Sequence, residues 1–222
     1  MADSNKITFT AAVSQIAGNV LLLIEEGLSR LYPREPRKKL SEENFRFNRG
    51  QDIVNTVIND QSTGFETGIN KLKIGKASVG DCGCEIIAVY NALCLMGKEC
   101  SFAKVERDFE LNGALTKVPF VPIGAYGSNP YALKRMVEME GLKGKYVRWK
   151  ELICTPGTYI YSYWNDGGLM SGLHTIITEF DGEAFSLYNY GKMGVRIMDK
   201  EIWEKRFKKC FIIGLSVSDL EV

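Results

Sequence analysis

The chain of 222 residues contains one histidine, His174. That count excludes a His-rich metal site, a two-histidine proton relay and a helical HExxH zinc motif. It also makes His174 the first candidate for acid/base work near neutral pH, since imidazole is the side chain whose ordinary pKa matches the task. His174 sits in the apolar stretch GLHTIITEFDGEAFSLYNYG, and Asn189 follows it 15 positions later (189 − 174 = 15). Upstream, SVGDCGCEIIAVYNALCLMG puts Cys82 and Cys84 at the mouth of an apolar helix. Cysteine, histidine and asparagine in that order are the residue types of a thiol nucleophile, its base and the base's orienter.

The nucleophile has to be a thiolate, and an ordinary thiol with a pKa of about 8.5 is mostly protonated at neutral pH. A helix N-terminus and a neighbouring imidazolium both lower that value. Cys82 and Cys84 are both expected at the start of the buried helix, and His174 at the start of a strand. Asn189 falls on the next strand across an Asp181-Gly182 hairpin, so antiparallel pairing brings it beside the histidine. The Cys84 backbone N–H at the helix end, with one side-chain donor, would meet an oxyanion. Cys84 fits the downstream register better as nucleophile, and Cys82 stays open as the alternative, with a bystander or resolving role left to the other thiol.

Several elements must hold these groups in place. Residues from about Thr8 to Tyr32 carry apolar positions at helical spacing and form one helix. PREPRKK, from Pro33 to Lys39, is expected as a basic linker, and a second helix is expected to open on Ser41. Loops run from Gln61 to Gly80, with a short strand at Lys71 to Ile74. Asp81 to Met96 is expected as one buried helix stopped by Gly97. Ser101 caps the next helix, FVPIGAYGSNP is a loop, and Pro130 to Glu140 is helical up to Gly141. Six β-prone runs follow, from KYVRW to CFIIGLSV. Helices first and strands second give an α+β fold, a mostly antiparallel sheet packed on the cysteine-bearing helix. The division expected is an N-terminal helical extension over 1–60 and a catalytic domain over 61–222.

GCEIIAVYNAL, GAYGSNPYALKRMVEMEG and HTIITEFDGEAFSLYN resemble the papain-like cysteine peptidases, specifically the bacteriocin-leader-peptidase-like group. In that group Gly-Cys-Glu or Asp-Cys-Gly opens the central helix, and a His-hydrophobic strand follows about 80–100 residues later. The resemblance runs roughly from Gly68 to Val217. It implies a papain-like α+β fold with a central buried helix, and hydrolysis of a peptide bond or related amide through a thioester. The sequence departs from the family in one respect. Papain-like enzymes usually carry an oxyanion-donating glutamine a few residues before the nucleophile, whereas Gln61 lies 23 positions before Cys84 (84 − 61 = 23). Asn70 and Ser78 are the candidate substitutes, though neither has the family's spacing.

The bulk numbers set the surroundings. A net charge of +1 argues against a polyanion-binding surface over the whole molecule, so no nucleic-acid partner is expected. The run NVLLLI is shorter than the roughly 20 apolar residues a bilayer span needs, so no membrane segment is expected either. Six cysteines with no secretion signal suit reduced thiols and a cytoplasmic setting, and the resemblance to the bacteriocin-leader-peptidase-like group implies a bacterial one. No cofactor or metal is expected: CxC followed by Cx5C, over Cys82, Cys84, Cys94 and Cys100, is not a usual zinc spacing. Cys94, Cys154 and Cys210 suit small core residues. The expected partner is a peptide or protein substrate, with the oligomeric state open. A silent papain-like binding or regulatory module is the alternative, and acyl transfer or deamidation by the same residues is a third reading. Deletion up to Lys39 is expected to raise thiol reactivity if the N-terminal helix is inhibitory.

Overall fold

A computed structural model describes residues 9–29, 35–61, 68–116, 127–165, 172–191 and 194–220. Residues 120–126 of the expected loop lie outside the described residues. The centre of the molecule is helix α4 (Cys84–Leu95), in which Ile86, Ile87, Val89, Tyr90 and Ala92 have no exposed surface. A helix apolar on every side can only be stable when surrounded, and α4 packs on the sheet and on α5 (Phe102–Leu111). The single helix expected from Asp81 is two: α3 (Val79–Cys82) ends at Gly83, and α4 starts after it. Glycine is required at the break, because a Cβ there would stand 2.7 Å from the Val79 carbonyl oxygen. Ser78 caps α3 and Ser101 caps α5 through their hydroxyls.

The sheet has the order β3-β8-β4-β5-β6-β7, antiparallel at every pairing. Its strands are β3 (Leu142–Val147), β4 (Gly157–Trp164), β5 (Leu173–Phe180), β6 (Ala184–Tyr188), β7 (Arg196–Asp199) and β8 (Phe211–Asp219). With the helices before it, this is the α+β arrangement expected, a buried helix packed on an antiparallel sheet. Side chains alternate across the pleat. Ile160, Ile177, Leu215 and Val217 join the core around α4, whereas Tyr161, Ile176, Phe185 and Leu187 face Trp203 and Phe207 of α8 (Lys200–Phe207). The sequence pattern does not announce α8, because KEIWEKRF buries only Trp203 and Phe207, leaves Ile202 exposed and is otherwise charged. Cys154, expected in the core, is exposed in the turn after α7 (Trp149–Leu152). Cys94 is half-buried at the far end of α4, its sulfur 3.3 Å from that of Cys100.

The N-terminal region departs most from expectation. Helix α1 spans Phe9–Ser29, but α2 (Glu35–Arg49) starts inside the segment expected as a linker. A proline in a helix's first turn gives up no intrahelical bond, so Pro36 does not prevent this start. Ser41, expected to open the helix, is fully buried within it. Helix α2 packs on α5 through buried polar pairs: Asn44 Nδ2 donates to Glu110 at 2.6 Å and Asn48 Nδ2 to Glu106 at 3.1 Å. Ile53 and Ile58, on the N-terminal side of the 60/61 division, belong to the same core as α4. Helix α1 turns Val13, Ile16, Val20, Leu21, Leu23, Ile24 and Leu28 outward. Its polar face is inward: Asn19 accepts from Trp164 Nε1 at 2.9 Å, and Glu26 pairs with Arg135 at 3.1 Å. By length and composition alone α1 is long and apolar enough to cross a bilayer, a criterion that core helices and signal sequences also meet.

Candidate active site

Cys84 is the first residue of α4, where backbone N–H groups have no intrahelical partner. Its thiol donates to Glu85 Oε2 at 3.2 Å, and the backbone N–H groups of Thr175 and Glu85 point at the sulfur. The Thr175 contact has a topological cause. Pairing between β5 and β6 begins at Ile177 opposite Tyr188, so the strand before it has no β6 neighbour and leaves a notch for the sulfur. Glu85 is itself buried: Oε1 accepts from Thr175 Oγ1 at 3.3 Å, that hydroxyl meets Ser162 Oγ at 2.7 Å, and the Ser128 N–H also reaches the carboxyl. Burial raises the Glu85 pKa to about 7 against the pull of these donors. Burial, then the charge of Glu85, pushes the Cys84 thiol well up.

Cys82 is placed otherwise than expected. It ends α3 instead of opening a helix, so the backbone dipole at that end opposes a thiolate. Burial and the charge of Asp81 raise its pKa, and the N–H of Gly127 partly offsets them.

His174 is the second residue of β5, opposite Tyr163 of β4, whose ring it meets edge-on at 5.8 Å. Its Nε2 lies 3.0 Å from the backbone carbonyl oxygen of Asn189. A carbonyl only accepts, so Nε2 carries the proton and Nδ1 keeps the lone pair. Burial lowers the His174 pKa, and the Asn189 bond opposes this. Since Thr175 faces Glu85, strand alternation gives His174 the Tyr163 side, and the two side chains part at adjacent residues.

Asn189, the expected orienter of the base, meets the imidazole through its backbone. The residue is left-handed (φ 59°), a conformation asparagine tolerates better than most, and its carbonyl is the group that meets the ring. The side-chain amide is committed to Gln61: Oδ1 accepts from the Gln61 backbone N–H at 2.9 Å, and Nδ2 donates to Gln61 Oε1 at 3.2 Å. Gln61 Nε2 then donates to the Gly80 carbonyl on α3 at 3.1 Å. The fold therefore brings Gln61, which spacing set aside, beside Asn189 and α3. Among the described residues before α3, Ile69–Lys71 form a turn and β1 (Lys73–Ile74) a hairpin with β2 (Ala77–Ser78). Of the two candidate substitutes, Ser78 Oγ donates to Asp81 at 2.6 Å, and Asn70 lies with its Cα and Cβ beneath Gly80, its Oδ1 buried without a hydrogen-bond partner among the described residues.

No family model matches the chain, and no curated protein does. Among solved structures it is similar to a double glycine motif protease from an AMS/PCAT transporter, determined in complex with the leader peptide. The two are 16% identical with a TM-score of 0.39, over 62% of this chain and 84% of the other. Among the described residues there is no cluster of histidine, cysteine and acidic side chains arranged to hold a metal ion.

Proposed function

We propose that the protein is a papain-like thiol hydrolase that cleaves a peptide bond or related amide, with Cys84 as nucleophile. The observation that carries this reading is the convergence at one end of the sheet. Cys84, the first residue of α4, is bonded to the backbone of Thr175, and its neighbour His174 is bonded to the left-handed Asn189, which is bonded in turn to Gln61. In this reading His174 Nδ1 takes the thiol proton while Nε2–H stays on the Asn189 carbonyl, and the sulfur attacks the amide carbon. The Cys84 N–H and the second N–H of Gln61 face the oxyanion. The imidazolium then protonates the leaving amine, and water hydrolyses the thioester. Cys82 is not needed for any of these steps. A peptide substrate and a cytoplasmic, bacterial setting belong to the same proposal, as does a catalytic unit spanning 61–222.

The test is incubation of the full chain with a peptide library, with products read by mass spectrometry. Cleavage lost in Cys84→Ala and His174→Ala but kept in Cys82→Ala is the expected result. Cleavage that survives Cys84→Ala overturns the assignment. One observation favours a second reading, a silent binding module: the thiol's hydrogen bond goes to Glu85 and the imidazole's to Asn189. Peptide bound by a folded chain with no product over prolonged incubation would decide for it.

A further inference from the structure

The residue after the candidate nucleophile is a carboxylic acid sealed inside the protein, and none of the steps above uses it. Glu85 Oε2 lies 3.2 Å from the Cys84 sulfur, and both side chains are buried. The groups that touch the carboxyl are the Cys84 thiol on its own helix, Thr175 on β5 with Ser162 of β4 behind it, and the Ser128 amide. All are neutral donors. Cys82 at the end of α3 is the next titratable group toward the carboxyl, and Tyr163 of β4 is the next toward the sulfur; in the resting chain the His174 ring is bonded to the Asn189 carbonyl and does not act on the thiol. A buried carboxylate with several donors and no cation among them stays ionised only by drawing on every hydrogen it is offered, the thiol's included.

We propose that Glu85 is a positioning residue that holds the Cys84 sulfur as an S–H donor and so keeps the nucleophile in a resting, protonated form. The identification of Cys84 as the reactive thiol rests on the function proposed above, but the sulfur–carboxyl coupling does not. The proton inventory makes the coupling visible. A thiolate can form by passing its proton to the carboxylate, so that S–H and COO⁻ become S⁻ and COOH with the pair's total charge unchanged. It can also form by losing the proton to water, which leaves two negative charges side by side in a buried site. The first route neither gains nor loses a proton, so its equilibrium does not depend on pH. The thiolate fraction therefore rises with pH while the carboxyl is protonated and levels off once the carboxyl ionises. It climbs again only when the doubly charged form becomes accessible.

The experiment follows alkylation of Cys84 by iodoacetamide in the full chain without substrate, peptide by peptide, as a function of pH. The wild type is expected to show a rate that flattens near pH 7, where the carboxyl ionises. Glu85→Gln keeps the shape, removes the charge and offers an N–H to the sulfur. Its rate should rise without a plateau and exceed the wild type by about tenfold at pH 8 for each unit the thiol pKa falls. Thr175→Val removes a donor from Oε1 and should move the flattening to higher pH. Thiolate ultraviolet absorbance, measured against Cys84→Ser, reads the same protonation without reagent access, and Thr175→Val serves if Glu85→Gln does not fold. An unchanged profile in folded Glu85→Gln overturns the proposal. So does a slower rate, which would make Glu85 the thiol's proton acceptor instead. Absence of peptide cleavage would refute the hydrolase reading and leave these profiles as they are.

Discussion

Asn189→Ala separates what the backbone does at this residue from what the side chain does. The substitution removes two hydrogen bonds to Gln61, of 2.9 and 3.2 Å, and leaves alanine at φ 59°. Two hydrogen bonds at about 1 kcal/mol each, with about 1 kcal/mol for alanine in the left-handed region, give roughly 3 kcal/mol of lost stability. For a domain of this size that is a fall in Tm of roughly 6–12 °C. The carbonyl that receives His174 Nε2–H is still present in the variant. Hydrolysis measured well below the lowered Tm should accordingly stay within a few-fold of wild type. Asn189→Gly should recover about 1 kcal/mol, because glycine adopts this conformation freely. Calorimetry with peptide cleavage at low temperature checks both. The reasoning is refuted if Asn189→Ala is as stable as wild type yet inactive, since the side chain would then be acting on the imidazole and not on Gln61.

Gly127→Ala places a Cβ 2.7 Å from the Cys82 carbonyl at a φ of 77°, so it should cost about 2–4 kcal/mol by denaturant unfolding and speed labelling of Cys82. Because burial lowers the His174 pKa, the unfolded chain takes up its proton first. His174 therefore adds stability above about pH 6.5 that is lost as pH falls through the folded value, and the wild type's advantage over His174→Gln should shrink in that acid window. Burial beside Glu110 raises the Glu106 pKa, so this group costs stability as pH climbs out of the ordinary carboxyl range. Glu106→Gln should be the more stable form at neutral pH, by urea titration. Helix α1 is bonded to Asn129, next to the Ser128 amide that reaches Glu85, as well as to Trp164. Asn19→Ala combined with Glu25→Ala should thus raise alkylation of Cys82 or Cys84, and an unchanged rate would remove α1 from any inhibitory role.

The features legible in the sequence were those set by short-range pattern. The buried helix, its stop at Gly97, the Ser101 cap and the Asp181-Gly182 hairpin follow from apolar spacing and turn chemistry, and the hairpin alone carries Asn189 to His174. What spacing could not say is which atom of Asn189 does the holding, because that depends on a φ angle imposed where β6 ends. Gln61 is out of view for a similar reason: its place beside Asn189 is a contact between residues 128 apart in the chain, which no local spacing announces. Ser41 misled because a residue suited to a helix cap also satisfies itself inside a helix that packs through polar contacts. Helix α1 is legible for the same reason as the buried helix: apolar positions recur at helical spacing from about Thr8 to Tyr32, and the helix spans Phe9–Ser29.

The inverted amphipathy of α1 also governs how the molecule should respond to ionic strength. Added salt leaves the Glu26–Arg135 pair that tethers the helix in place, because the pair is largely shielded from solvent, but sulfate or phosphate strengthens the tendency of its outward hydrocarbon to leave water. The helix stays docked and becomes more adhesive. Concentrated kosmotropic buffers, often chosen to keep a protein compact, should make this one less monodisperse than dilute ones do.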